Sequence, residues 1–356
     1  MTDDDRALRG RPTLRPGSRL LRAVVGLVVV VVAFVWVLPG ISPYSQVWAA
    51  LRSIGPTIGA AVAVVGAANL IAPAASQKAA LPGLRLGDAV LTDWTTSAIT
   101  NVIPAGSALA IATTWSMYRS FGLGDGPIAR SIVVTGVWDT VVKFGTPLLA
   151  LVWLSTERPI GPGLLQAALV GALLFAVVVA LGLVLLAGPA VGTGLGRLLD
   201  RVRFAGHGWP DRLDGLRRDT LTLLRTRWLS LTWWTVAGHA NLYILFVLCL
   251  RAVGVESREL SWAAILAAFA FGRLITAVPL SPGGLGVMEV GLTGALAAVG
   301  RADEASVVAG VLLFRFLTLI VPIALGAVGW VVWTGRGGSI RPAARTTGSP
   351  VPPPSP

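Results

Sequence analysis

The chain is organised as long apolar runs separated by short polar loops. A helix that crosses a bilayer needs ~20 mostly apolar residues, because ~30 Å of hydrocarbon is traversed at ~1.5 Å per residue with every backbone group bonded inside the helix. Six runs reach that length, roughly 20–38, 53–75, 131–154, 163–188, 228–251 and 305–334. Two further stretches, 88–118 and 261–299, are interrupted in the middle by proline and glycine. Either arm of the first, on each side of Pro104, is ~22 Å long as a helix, which falls short of a full crossing.

Composition agrees with a membrane solvent. Hydrophobic residues make up 54% and charged residues 13% of the 356, about half the roughly 25% charge of a soluble chain, and the mean hydropathy is +0.75. A water-soluble α/β domain and a secreted enzyme with a single anchor are both excluded. The lone Cys249 makes no intrachain disulfide, and His207 and His239 are too few and too far apart for a metal cluster, so no metal or cofactor is expected. Arginine dominates the basic residues. With the abundance of Ala, Val and Gly, this points to a GC-rich bacterial genome and to the bacterial inner membrane as the location.

The net charge of +12 and pI near 11.4 are those of many nucleic-acid binders. Here the basic residues flank apolar runs without interleaved aromatics, and topology accounts for them better. Arg6, Arg9, Arg11, Arg15, Arg19 and Arg22 precede the first run and place the N-terminus in the cytoplasm. That run is longer than a signal-peptide core and has no convincing small-x-small site, so it is read as a span. Lys78 with Arg85, Arg119 with Arg130, the block from Arg197 to Arg227, and Arg336, Arg341 and Arg345 mark the same side.

Parity then constrains the two broken stretches. Residue 88 lies inside after two crossings, and the basic block beyond 188 lies inside after two more, so 88–118 must return to its own side. In the second half 228–251 leads out and 305–334 leads back, so 261–299 returns to the outside. Loops on that outer side carry only Arg52, Arg158, Arg251, Arg258 and Arg301. The expected fold is an all-α polytopic membrane protein with six full transmembrane helices and two oppositely oriented re-entrant helical hairpins. A basic cytoplasmic segment, 1–19, precedes a membrane domain, 20–334. Its halves, about 53–188 and 228–334, are joined by a basic cytoplasmic loop, 189–227, and a Pro- and Ser-rich tail, 335–356, is expected to be disordered and cytoplasmic.

An internal repeat supports the pairing of the hairpins. A shift of 178 residues matches Pro104 with Pro282, Gly106 with Gly284, Gly122 with Gly300, Asp125 with Asp303, Val133 with Val311 and Thr140 with Thr318. Related sequence with opposite membrane orientation is the pattern of inverted-repeat transporters, whose substrate sites lie at paired Gly/Pro-interrupted segments. The plainer alternative is that two Pro-Gly kinks serve helix packing alone. The segments around the breaks are Asn101-Val-Ile-Pro104-Ala-Gly106-Ser and Val278-Pro-Leu-Ser281-Pro282-Gly283-Gly284-Leu-Gly286-Val-Met-Glu289. Ser281 before Pro282 has the form of an N-cap with proline in the first turn, and a helix restarting there would offer free amides and a positive dipole end to an anionic group such as a phosphate.

Ionisable residues at membrane depth cost ~2.5–3.5 kcal/mol or more and must face protein or water. They are Asp93, Asp139, Lys143, Arg273, Glu289 and Arg315. Asp139 and Lys143 stand four apart and can neutralise each other. Arg273 and Arg315 suit forked hydrogen bonds to a phosphate, with Glu289 orienting one of them or exchanging a proton; an Arg–Glu pair that only ties helices together is the structural alternative. His239 and Asn241 are read as interhelical hydrogen-bond partners.

The segments Val278 to Gly294 and Val307 to Gly329, with Leu-Leu-Phe-Arg-Phe-Leu-Thr around Arg315, resemble the flippase-like membrane domain of the lysylphosphatidylglycerol synthase family, as does the run from Asn101 to Lys143. The resemblance covers most of 20–334, and its most specific part is Pro-Gly-Gly-x-Gly-x-x-Glu. Ala105 and Ser107 stand where the family often has glycine. The resemblance implies a protein that moves a lipid or lipid-linked headgroup between leaflets. Family members that make aminoacylated lipids carry a large synthase domain after the membrane part. Only residues 335–356 follow the last span here, so synthase activity is expected to be absent.

The leading expectation is a non-enzymatic translocator of an anionic phospholipid or polyprenyl-phosphate-linked lipid. Its substrate-binding candidates are Asn101, Pro104, Gly106, Arg273, Ser281, Pro282, Gly283, Gly284, Gly286, Glu289 and Arg315, with Asp93, Asp139 and Lys143 secondary. The alternatives are a membrane-embedded glycosyl or acyl transferase with one of these carboxylates as base, and a non-transporting partner of a separate synthase or glycosyltransferase. No nucleotide-sugar motif, P-loop or nucleophile elbow favours the enzyme.

Overall fold

The computed structural model describes residues 54–103, 106–157, 209–275, 287–299 and 302–338, together with Arg52, Gly284 and scattered helical positions between 166 and 197. The expected run 20–38 lies outside these residues, as do the segment 1–19 and most of 163–188 and of 335–356. Every regular element among the described residues is helical. In chain order these are α1 (Pro56–Asn69), α2 (Ala72–Ala80), α3 (Leu86–Val102), α4 (Ser107–Ser120), α5 (Asp125–Glu157), α6 (Trp209–Ala252), α7 (Trp262–Ile275), α8 (Val287–Val299), α9 (Glu304–Arg315), a π-helical segment (Phe316–Ile320) and α10 (Val321–Gly335).

Four helical runs among them are long and apolar enough to cross a membrane: Pro56–Ala80, Asp125–Glu157, Leu213–Ala252 and Glu304–Gly335. They overlap the expected span at 53–75 and contain those at 131–154, 228–251 and 305–334, and they make the chain a multi-pass membrane protein. The first is offset where α1 meets α2, because Pro73 has no amide to offer the carbonyl of Asn69. The carbonyl of Leu70 at that offset accepts the Trp94 indole N–H at 2.9 Å. Helix α6, with 44 residues, is ~66 Å long, about twice the hydrocarbon thickness. Its charged N-terminal part gives way near Trp228, and Trp228, Trp233 and Trp234 are all exposed there, as in the aromatic belt of a membrane interface.

Each broken stretch contributes two helices that pack together. Helices α3 and α4 pack on each other, and so do α7 and α8. The helix limits follow the sequence repeat. Adding 178 to 125–157 gives 303–335, and the second-half run is Glu304–Gly335 with Asp303 capping it through a 3.0 Å bond from the Ser306 amide. Adding 178 to 107–120 gives 285–298, against Val287–Val299 for α8. Contacts between the halves are reciprocal as well: α3 packs on α10, and its counterpart α7 packs on α5. The first helix of each broken stretch therefore packs on a long helix from the other part of the sequence.

Lipid is as apolar as a leucine side chain, so close packing and internal hydrogen bonds must hold these helices together. Phe246 of α6, Phe269 of α7 and Phe314 of α9 form one buried aromatic cluster with ring centroids 4.8 to 6.2 Å apart. Polar ties accompany it: Ser76 to Thr235 at 2.9 Å, Trp138 to Thr232 at 2.9 Å, and Asn241 to the carbonyl of Val65 at 3.1 Å. The last of these is the interhelical role expected for Asn241.

Candidate functional site

Helix α3 is unusually polar for a helix in this environment. Its threonine hydroxyls resolve the conflict by bonding back to the preceding turn: Thr92 to Asp88, Thr95 to Leu91, Thr96 to Thr92 and Thr100 to Thr96, at 2.7 to 3.0 Å. With their protons satisfied internally, the oxygens of Thr96 and Thr100 furnish one wall of a cavity of about 790 Å³. The other walls come from α2, α4, α5, α6, α7 and the α9–α10 run.

Both broken stretches reach this cavity, the first through Ile103, Gly106 and Ser107 and the second through Gly284 and Met288. Gly106 permits the first turn. A Cβ there would stand 2.5 Å from the carbonyl oxygen of Ile99 and 2.8 Å from that of Ile103. Asn101 lines the cavity two residues before the turn begins. Pro104, Ser281, Pro282, Gly283 and Gly286 lie outside the described residues, and with them the expected N-cap at the second break.

The charged residues fall into three groups. Asp139 of α5 accepts from Lys143 at 3.1 Å through one oxygen and pairs with His239 of α6 at 3.0 Å through the other. That contact is interhelical, as expected for His239, and it also puts the imidazole on the cavity wall. Arg273 of α7 lines the cavity too, with its guanidinium 5.7 Å from the Phe269 ring. The second group is Arg315 of α9, whose Nε donates to Glu289 of α8 at 2.5 Å while Nη1 approaches the Met288 sulfur at 3.5 Å. Their side chains are 7% and 14% exposed, which makes this a buried pair. The third is Asp93 of α3, which accepts from the Gln77 amide at 3.1 Å; the Gln77 carbonyl in turn accepts from Tyr118 of α4.

The segment after Arg315 explains how its side chain and Thr318 come to share the cavity wall. Pro322 cannot donate to the carbonyl four residues back, and the helix widens to a π turn in which Val321 donates to Phe316, five residues back. Arg315 and Thr318, three residues apart across this turn, both line the cavity.

Arg273 and Arg315, which the sequence groups with Glu289, thus share one cavity, and among the described residues Glu289 is bonded to Arg315. Sequence reasoning passes over Gln77 and Tyr118. The repeated Thr spacing of α3, three or four residues between Thr92, Thr95, Thr96 and Thr100, is the signal that marks α3 as a polar wall.

Neutralising Asp139 tests how much of this arrangement is structural. Its side chain is 48% exposed, so Asp139→Asn is expected to cost only about 1 kcal/mol, read as a small fall in Tm in detergent. A loss several times larger would show that Asp139 compensates Arg273 as well as its two direct partners.

These features define a multi-pass helical membrane protein with a charged cavity among its helices. The family model for the lysylphosphatidylglycerol synthase TM region matches residues 23–326, and the chain belongs to that family. Comparison with curated proteins finds no match.

Proposed function

We propose that this protein is a lipid translocator that carries an anionic phospholipid or a lipid-linked headgroup between leaflets. The observation that carries the reading is a cavity reached by both broken stretches and lined by Arg273 and Arg315. In it a phosphate meets guanidinium donors, whose fork matches its oxygens, while the acyl or isoprenoid tails stay in the bilayer. Family membership supports a lipid-related role in the membrane.

In this reading α3–α4 and α7–α8 are re-entrant hairpins that enter from opposite faces, six helices cross completely, and both termini are cytoplasmic. At ~1.5 Å per residue the four hairpin helices, 13 to 17 residues each, measure ~20–25 Å, less than the hydrocarbon thickness. Rocking of one half against the other then exposes the cavity alternately to the two sides.

The test is reconstitution into phosphatidylcholine vesicles with fluorescent phosphatidylglycerol or a fluorescent polyprenyl phosphate. Transfer to the inner leaflet is read as protection from an impermeant quencher. Faster protection of one anionic probe than of a phosphatidylcholine control is expected. Well-folded protein that moves none of them would defeat the proposal.

A further inference from the structure

Three carboxylates stand on or just behind the cavity wall, and they differ in what holds them. Asp139 gives one oxygen to Lys143 and the other to His239. Glu289 is bonded to Arg315. Asp93 has a different environment: its recorded partner is the neutral Gln77 amide, and among the described residues no ion pair reaches it.

The Gln77 side chain is itself fixed. Tyr118, which is buried, donates to its carbonyl oxygen, so its NH₂ is turned toward Oδ1 of Asp93. An amide donor can bond either a carboxylate or the carbonyl oxygen of a neutral carboxyl, the carboxylate more strongly. The pair therefore positions Asp93 in either protonation state and leaves Oδ2 to carry a proton. Asp93 lines the cavity, so water entering it would reach the carboxyl.

The charged and titratable groups facing Asp93 across the cavity are Asp139 from α5, His239 from α6, Arg273 from α7 and Arg315 from α9, with Tyr118 from α4 behind Gln77. Lys143 and Glu289 are engaged by Asp139 and Arg315. Helix α10, packed along α3, brings no charged side chain.

We propose that Asp93 is the proton-binding site of this protein, taking a proton from water when the cavity opens to one side and returning it on the other, and so coupling lipid movement to a proton gradient. The step moves one proton between water and the Asp93 carboxylate, and no other bond is made or broken. This inference rests on the translocator reading and gives it an energy source. It leaves Glu289 to orient Arg315.

The experiment has two arms on the full chain in vesicles. Infrared difference spectra taken from mildly acidic to alkaline pH should show a protonated-carboxyl band that disappears as pH rises, that is missing in Asp93→Asn and that persists with a shifted midpoint in Asp93→Glu. In the second arm fluorescent phosphatidylglycerol movement is compared with and without a pH gradient, the membrane potential being clamped. The ratio should exceed unity in the wild type and in Asp93→Glu and fall to unity in Asp93→Asn.

An Asp93 carboxylate that stays ionised across the whole range, as a binder of a cationic headgroup would, overturns the proposal. So does a gradient response that survives in Asp93→Asn, or one that a sodium gradient reproduces at equal pH. If the wild type moves no lipid at all, the translocator reading fails on the movement arm, and the infrared arm still decides whether Asp93 exchanges a proton.

Discussion

Arg315→Ala is expected to lose both stability and lipid movement, and a second substitution should restore the first without the second. The guanidinium of Arg315 is 7% exposed and its partner Glu289 14% exposed, with 2.5 Å between the bonded atoms. Removing one member of a buried pair leaves an uncompensated charge, which costs about 3–5 kcal/mol. Replacing both by apolar or neutral groups of similar size is often neutral. Arg315→Ala, Arg315→Met and Glu289→Gln should therefore each lower Tm in detergent, and Arg315→Met combined with Glu289→Gln should recover most of the loss, a coupling that the double-mutant cycle of these last two substitutions reads directly.

Lipid movement follows another rule. A hydrogen bond to a charged group contributes roughly 1.5–3 kcal/mol, so loss of the Arg315 contact to a phosphate should slow transfer of an anionic probe by about ten- to a hundredfold. The recovered double variant should remain slow, because its stability returns while its donor does not. If the double variant regains both, the pair is only a tie between α8 and α9 and Arg315 is no part of the site. Glu289→Gln alone separates the roles further, since it keeps the guanidinium and removes its orienting partner. Its rate should lie between those of the wild type and Arg315→Ala.

Four of the expected spans and the offset between their limits were legible because they follow from one-dimensional properties. Run length, proline and glycine placement and the offset of 178 each leave a mark in sequence, and the helix limits Asp125–Glu157 and Glu304–Gly335 follow that offset to within one residue at the start and with no difference at the end. Pairing within one helix was equally readable, as for Asp139 and Lys143 at four residues' separation.

What could not be read was which charges face one another across helices. The sequence groups Glu289 with both Arg273 and Arg315 without saying which it meets, and its partner Arg315 is 26 residues away; Asp139 meets His239 across 100. Such partners depend on helix rotation and crossing, which apolar runs without a marked polar face do not encode. The link from Tyr118 through Gln77 to Asp93 is harder still, since a lone glutamine and a lone tyrosine have no spacing that joins them. The π turn after Arg315 could be suspected from Pro322, but its effect on which side chains reach the cavity needed the coordinates.

The other large effect should come from a residue that has no side chain. Helix α10 lies along α3 so closely that a Cβ on Gly326 would strike the Trp94 carbonyl oxygen and come within 2.5 Å of the Ala98 Cβ. One turn on, a Cβ on Gly329 would stand 2.7 Å from the Thr95 hydroxyl. The first obstacle is backbone, which cannot rotate away, so α3 and α10 must separate. Gly326→Ala should cost about 1–3 kcal/mol, the usual penalty for overpacking, and Gly326→Leu should exceed it and prevent accumulation of folded protein.

Gly294 of α8 is the control, since a Cβ there meets nothing within 4 Å. In a helix interior its replacement by alanine should stabilise by about 0.4–1 kcal/mol through lost freedom of the unfolded chain. Opposite signs for the two alanine variants, measured as Tm in the same detergent, would place the clasp between the halves at the α3–α10 contact. Because α3 also carries Asp93, Thr96, Thr100 and Asn101 on the cavity wall, loosening it should slow lipid movement in Gly326→Ala beyond what the remaining folded fraction explains. A Gly326→Ala protein as stable as the wild type would mean that the two helices can part without cost, and that the cavity wall is held by some other contact.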